Sequence, residues 1–435
     1  MTKTIRRLPA ALMLPFALVP AAGGGSAEVS PELPLTEELP DILTFQDGTK
    51  VETAGDWQRR RQEILALYER YVYGYMPDPA GETVTYDLKE CAECPGKEMT
   101  IRVSAGGKTV SFTVLVTLPD SAAPESGYPC FVEYWGYKWM GRAGADPNCL
   151  YAASRGYAGI NYSPVDVAAD NSTMTGPFYE LYPYGKQPEE QTGVLLAWAW
   201  GASKVLDALY AEAARELNID PSLSLLGGVS RFGKSVAVAG AYDERFRVVI
   251  PSCSGAGGIS MFRTDNHGKT YDLTSLGGEK AWTNTSINEP FSNLTGGEGY
   301  WFCGTFRTLK DARQLPADQH MLCALTASPD RHLIIVSGIT SEGWNNTEGQ
   351  CLAYKASQCV WDLLGCPGQN NMLIHLDGHA ILQSDMEYIL DYCDVHLSGK
   401  DPRKVKSDLS QMKGNLFLEH NRDVLDERFT PYLEN

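Results

Sequence analysis

Basic side chains are in short supply. Lys and Arg total 37 against 54 Asp and Glu in 435 residues, giving a formal net charge of −17 and a sequence pI of about 4.9. A general nucleic-acid binder or a protein held on anionic lipid needs the opposite balance, so both classes are excluded. Long apolar runs are also missing: after the first 27 residues none approaches the roughly 20 residues of a membrane span. Internal repeats are absent, and the 42 Gly and 25 Pro are scattered rather than concentrated. That excludes solenoid, collagenous and low-complexity chains. A second Cys-x-x-Cys to match Cys91 and Cys94 is lacking, so a zinc ribbon has no ligand set, and a local disulfide or two unpaired thiols is expected there. Eleven cysteines are an odd number, which leaves at least one thiol unpaired or linking chains. Cys130, Cys323, Cys359 and Cys393 sit in apolar segments, where a thiol behaves as a small buried hydrophobe.

What is present begins with a leader. Lys3, Arg6 and Arg7 precede an apolar run from Leu8 to Ala22 and a small-residue stretch from Gly23 to Ala27. These are the three parts of a secretory signal. Residues 1–27 are therefore set apart, and an exported monomer without a lipid-bearing cysteine is expected from 28–435.

From Asp47 to Pro77 a short strand and turn lead into an amphipathic helix around Trp57 to Tyr73. Residues 83–118 alternate apolar and polar positions between Gly-containing turns, which predicts antiparallel hairpins. Pro129–Trp135, Ala158–Tyr162, Leu223–Leu226, Arg247–Pro251, His332–Ser337 and Asn371–Leu376 are short apolar runs of the kind buried in parallel sheets. Helical stretches lie between them, Gly193–Leu217 the clearest. The alternation predicts one α/β domain with helices on both faces of a mostly parallel sheet. Two segments, Pro164–Glu190 and Met261–Gly299, are too long for simple connections and follow strands, so they are expected at the carboxyl edge where ligands bind.

The segment Leu223–Gly258 carries the most chemistry. An apolar strand runs into a tight turn with Ser230 at its apex, and a helix of small residues follows. This is the pattern of a nucleophile elbow, with Gly228 and Gly233 letting strand and helix approach. Gly233 lies three residues after the serine, one further than in Gly-x-Ser-x-Gly. The same letters, Gly228 to Ser235, also satisfy the phosphate-loop pattern Gly-x4-Gly-Lys-Ser. That alternative would put Lys234 on phosphates and Ser235 on magnesium. It also requires a later strand ending in Asp, whereas the next strand here ends in Pro-Ser-Cys-Ser.

A serine nucleophile needs a base, and there are only seven histidines. His267 lies in a long loop, His375 within a strand, His396 on the last long helix and His420 in the tail. His320 starts a helix and His332 a strand. His379, in the loop LDGHAI directly after the last strand, has the place and order that α/β-hydrolases use.

At this point the chain resembles the glucuronoyl esterases, carbohydrate esterases acting on the ester between glucuronic acid and lignin alcohols. The resemblance rests on DWQRRRQEI, VYGYMP, LLAWAWGASKVLDAL, GVSRFGK, SGAGG, YWFCGTF, LPADQH, SEGW and DGHA, and it spans most of the chain after the leader. It implies an α/β-hydrolase three-layer sandwich with N-terminal hairpins, and a Ser-His-acid triad needing no cofactor or metal. By the same resemblance Ser230 is the nucleophile, His379 the base, Arg231 an oxyanion-stabilising arginine and Lys234 a sugar-binding lysine. Glu298 is a sugar-hydroxyl acceptor and Trp344 an indole donor facing the sugar. The expected partner is glucuronoxylan or a lignin-carbohydrate ester. One departure stands out. Many family members carry the triad acid just before SGAGG, but here that position is Cys253. Others supply an acid after the following strand, which points to Glu342, with Glu348 as the fallback. A different carbohydrate ester, an acetyl ester among them, and an impaired carbohydrate-binding relic remain the alternatives, beside the nucleotide reading.

Overall fold

The computed structural model describes residues 33–92, 94–135, 144–409 and 413–433. The leader expected at 1–27 lies outside them. Residues Leu35–Asn435 gather into one unit.

Nine strands form the main sheet. They are β1 (Thr83–Glu90), β2 (Gly96–Ala105), β3 (Lys108–Thr117), β4 (Tyr128–Tyr134), β5 (Ala158–Tyr162), β6 (Ile219–Val229), β7 (Val248–Ser252), β10 (His332–Gly338) and β11 (Asn370–His375). Between β7 and β10 a small ribbon pairs β8 (Thr270–Tyr271) with β9 (Trp282–Thr283). The sheet order is β1-β2-β3-β5-β4-β6-β7-β10-β11. The first three strands and the β3–β5 pairing are antiparallel, and from β5 to β11 every pairing is parallel. The expected hairpins and parallel strands are thus all found. Strand β6 outruns its apolar signal, Leu223–Leu226, because it pairs with a strand on each side.

Alternation along the parallel strands sends side chains to both faces, and both are covered. One face buries Phe131, Leu225, Ile250, Ile334 and Leu373 against Ala152, Met386, Ile389 and Leu390, on the helices Pro147–Ser154 and Gln383–His396. On the other, the helix Arg231–Tyr242 lies so close that a Cβ on Gly240 would come 2.6 Å from a methyl of Val249. The helix Val194–Ala208 is buried around nearly its whole circumference, as expected for a helix enclosed on all sides. This is the three-layer α/β sandwich the sequence predicts.

The N-terminal helix, Ala54–Tyr71, starts with a capping box between Thr53 and Asp56. Its Arg61 guanidinium donates to Leu325 O at 3.1 Å and Ala241 O at 2.6 Å. Those carbonyls close the helices Gln319–Leu325 and Arg231–Tyr242, so one buried cation caps two C-termini and satisfies their orphan acceptors.

Strand β4 lies between β5 and β6, so the chain leaves it first to one side and then to the other. Open α/β sheets bind ligands outside the carboxyl ends of strands at such a reversal. The turn after β6 is there, and it explains the displaced glycine. A Cβ on Gly233 would lie 2.5 Å from Ser252 O and 2.9 Å from Gly228 O. Gly233 is therefore the close-approach residue even though it sits one position later than in the common pattern. Gly233→Ala is expected to lower stability by about 1–3 kcal/mol, the cost of overpacking against a backbone that has no room to move. Urea denaturation of the two proteins measures it.

Candidate active site

Ser230 occupies the junction of β6 and the helix Arg231–Tyr242 with φ 64° and ψ −131°. A non-glycine residue in this region is strained, and such strain collects at functional turns. The turn is held by the Ser230 N–H donating to Ser252 O at 2.9 Å and by the Lys234 N–H donating to Ser230 O at 2.9 Å. The serine thus stands directly ahead of a twelve-residue helix, whose first N–H groups are natural donors to a developing oxyanion.

Register brings the other groups to the same edge. Val229 pairs with Ser252, Ser252 with Val336, and Gly338 with His375. Cys253, Glu342 and His379 therefore follow three neighbouring strands, β7, β10 and β11. His379 Nδ1 lies 2.6 Å from Glu342 Oε2. The Glu342 side chain is 7% exposed and that of His379 38%. A buried carboxylate on Nδ1 fixes the ring and its tautomer, which leaves Nε2 to accept a proton. Burial pulls the His379 pKa down, but hydrogen bonds to Cys253 and Glu342 outweigh it and raise it to about 9. Cys253 is fully buried. Burial pushes its thiol up, while hydrogen bonds from His375 and His379 more than offset this and bring it down to about 7.

The fallback acid is elsewhere. Glu348 accepts from Lys269 Nζ at 2.7 Å and from the Tyr271 hydroxyl, and it receives the Asp426 N–H at 3.2 Å. It ties the β8–β9 ribbon and the C-terminal segment to the helix Thr347–Leu363.

Arg231 Nη1 donates to Asp170 Oδ2 at 2.7 Å. Asp170 Oδ1 also accepts from Trp301 Nε1 at 2.9 Å and the Tyr300 hydroxyl at 3.2 Å. The guanidinium lies over the Trp301 ring, 5.2 Å from its centroid, a favourable cation–π placement. Asp170 comes from the first long loop, and Glu289, which meets the Lys234 ammonium, from the second, so both segments flagged by their length reach the site.

Lys234 is placed differently from the expectation of a direct sugar contact. Its ammonium is 1% exposed. It donates to Ser254 O at 2.8 Å, Ala256 O at 2.7 Å and Glu289 Oε1 and Oε2 at 2.9 and 2.8 Å. Three donors facing four acceptors leave none over, so a sugar hydroxyl has to displace one of them. The nucleotide alternative fails on the same facts. Lys234 is neutralised by a carboxylate, and Ser235 Oγ turns into the core to donate to Leu195 O at 2.8 Å.

Glu298 is half-buried, and its Oε2 has no hydrogen-bond partner. Burial, then the nearby Glu289 charge, raises its pKa. An acceptor of this kind suits a hydroxyl donor. Trp344 is half-buried with its ring 5.5 Å from that of His379. Cys130, Cys323, Cys359 and Cys393, expected in apolar segments, are free thiols, all buried except the half-buried Cys359.

Sequence reasoning missed Asp170, Glu289 and the His375–Asp385 pair. His375 Nδ1 lies 2.9 Å from Asp385 Oδ2, and Nε2 lies 2.9 Å from Gly378 O. Two acceptors on one ring require two N–H donors, so the ring is an imidazolium. Burial pulls its pKa down, but Asp385 and Cys253 dominate and raise it to about 10. It thereby clamps the carbonyl of Gly378, whose φ of +115° sets the turn into His379. With a folded pKa above the unfolded value of 6.5, this pair's stabilisation is complete below about 6.5 and fades as pH rises toward about 10. His375→Gln is therefore expected to lower Tm most at pH 6 and least near pH 10. Differential scanning calorimetry across that range checks it.

An α/β sandwich with a strained serine elbow, a carboxylate-held histidine after the last strand and an arginine beside the serine has the layout of the α/β-hydrolase fold. Residues 101–365 match the family described as "Glucuronyl esterase, fungi". The chain belongs to the glucuronoyl esterase family. A multidomain esterase from Ruminococcus flavefaciens is 40% identical over 408 residues, 92% of this chain and 51% of that protein. The chain thus spans about half the length of that relative. A 4-O-methyl-glucuronoyl methylesterase from Schizophyllum commune is 30% identical over 353 residues, covering 79% of this chain and 78% of its own length. Among solved structures, a carbohydrate esterase family 15 glucuronoyl esterase from Caldicellulosiruptor kristjansonii superposes with a TM-score of 0.75 at 40% identity. It covers 89% of this chain and 97% of that one. The glucuronoyl esterase catalytic domain from Hypocrea jecorina gives a TM-score of 0.66 at 27% identity, covering 89% and 98%.

Proposed function

We propose that the chain is a serine carboxyl-ester hydrolase that cleaves esters of glucuronic acid or its 4-O-methyl form, as linked in glucuronoxylan to lignin alcohols. The observation that carries the reading is the 2.6 Å contact of His379 Nδ1 with the buried Glu342 carboxylate at the strand edge that also presents Ser230. It also argues against an impaired relic, since Cys253 need not serve as the acid. In this mechanism His379 Nε2 takes the Ser230 proton as Oγ attacks the ester carbonyl. Glu342 stabilises the imidazolium that forms, while Arg231 and the helix N–H groups hold the oxyanion. The alcohol leaves with the proton from His379, and water, activated by the same histidine, releases the uronate from the acyl-enzyme.

Glu298 and Trp344 are the proposed sugar contacts. Lys234 joins them only by giving up one of its present acceptors; as it stands, it anchors the Glu289 loop beside them. We further propose export by the 1–27 leader and action as a monomer through the single domain 28–435. That no helix among the described residues is long and apolar enough to cross a membrane is in keeping with this.

The test is hydrolysis of benzyl glucuronate beside an aryl acetate. Benzyl alcohol and free glucuronate are expected as products, with kcat/KM for the uronate ester well above that for the acetate. A preference for the acetate would favour the acetyl-esterase alternative.

A further inference from the structure

Cys253 has no task in this mechanism, yet it stands in an unusual setting. Its Sγ, a ring nitrogen of His379 and a carboxylate oxygen of Glu342 all lie within 4.8 Å of one another. Among the described residues no other group of three or more histidine, cysteine and acidic side chains is gathered so closely. The three donors sit at the ends of neighbouring parallel strands, and Cys253 is pinned by its N–H donating to Val336 O at 2.8 Å. Strand pairing thus fixes Cys253, while Glu342 and His379 lie in the loops that follow β10 and β11.

We propose that Cys253, His379 and Glu342 form a binding site for a thiophilic divalent cation, Zn²⁺ or Co²⁺, which holds the esterase in an inactive state. A thiolate, an imidazole and a carboxylate select such ions over Mg²⁺ or Ca²⁺. Three protein ligands also leave a fourth position open to water. Metal bonds of about 2.0–2.3 Å place tetrahedral donor atoms roughly 3.3–3.6 Å apart. The His379–Glu342 contact of 2.6 Å must therefore open by less than about 1 Å, a small side-chain rotation.

The proton balance is simple. The cation replaces the thiol proton, which leaves to solvent, and takes the Nδ1 lone pair. Below about pH 9 the ring carries two protons, so the Nδ1 proton also leaves to solvent and the ring keeps the one on Nε2. A thiolate and a carboxylate then balance the two positive charges. With Nε2 protonated, the ring has no lone pair to receive the Ser230 proton, and hydrolysis stops. The charges facing the site from behind are the His375 imidazolium, which opposes a cation, and Asp385, which offsets it.

The inhibitory consequence rests on the proposed esterase mechanism; the binding does not, and the two are read separately. Co²⁺ added to the full chain is expected to give a near-ultraviolet thiolate-to-cobalt absorption with one equivalent bound. That band should vanish in Cys253→Ala, weaken in Glu342→Gln, and persist in Cys366→Ser, a half-exposed thiol remote in sequence from the cluster. Zn²⁺ is expected to inhibit the wild type reversibly, with a chelator restoring activity. In Cys253→Ala, compared with its own metal-free rate, inhibition should need at least about tenfold more Zn²⁺. No cobalt–thiolate band in the wild type, or a band that survives in Cys253→Ala, overturns the site. If Cys253→Ala does not fold, an undiminished band in Glu342→Gln overturns it instead. A band of the expected kind in a protein without esterase activity would retain the site and reject the mechanism.

Discussion

Ser230→Ala is expected to lower kcat for benzyl glucuronate by about 10⁴–10⁶-fold while changing KM little. The elbow places Ser230 in a strained backbone conformation, φ 64° and ψ −131°, ahead of a helix N-terminus. A strained residue held by flanking hydrogen bonds signals that its side chain, not its stability, is what the turn serves. Alanine keeps the turn, the Ser230 N–H bond to Ser252 O and the neighbouring Arg231, and removes only the nucleophile. A small rate above solution should remain from the oxyanion donors. Release of benzyl alcohol by the two purified proteins decides the matter, together with covalent labelling by an organophosphonate. Equal slow hydrolysis by both, or labelling of the alanine variant, would reject Ser230 as the nucleophile.

Glu342→Gln is expected to lower kcat by about 10⁴-fold, because an amide cannot hold the imidazolium that forms as His379 takes the proton. Its pH dependence carries a second signature. The base works only when unprotonated, and the hydrogen bonds to Cys253 and Glu342 raise the His379 pKa from the ordinary 6.5 to about 9. Activity of the wild type should therefore climb with pH well beyond the range of a free imidazole. Without the carboxylate the pKa falls, so the residual activity of Glu342→Gln should reach its plateau at lower pH. Glu348→Gln provides the contrast. It loses the ties to Lys269 and Tyr271, so its Tm should drop while the pH profile of kcat stays in place. Unchanged turnover in Glu342→Gln would remove it from the triad and return attention to Cys253.

These expectations show which parts of the site were readable along the chain. Ser230 was legible because an apolar strand, small residues and a helix are contiguous, and a turn is a local structure. His379 was legible by elimination among seven histidines and by its place after the last strand. The spacing of Gly233 looked irregular in one dimension. In three it is required, because Ser252 O, brought beside it by strand pairing, occupies the space of a side chain. The two long loops were legible as functional, but not that Asp170 on one would meet Trp301, just past the other. His375 reads as an ordinary strand residue, since its partner Asp385 lies ten positions on and across a turn. Lys234 shows the opposite limit. Its chemistry suggested a ligand, and Glu289 with two backbone carbonyls takes up its donors instead.

The sequence alone determined the α/β alternation, the hairpins, the absence of basic surplus and the serine elbow, because periodicity, composition and turns are properties of neighbours along the chain. The tertiary structure alone decided which carboxylate meets His379, what Lys234 holds, and that Cys253 lies against the base. Those contacts are set by the order β6-β7-β10-β11 and its register. Strands far apart in sequence there end side by side, and no local pattern records which of their ends will touch.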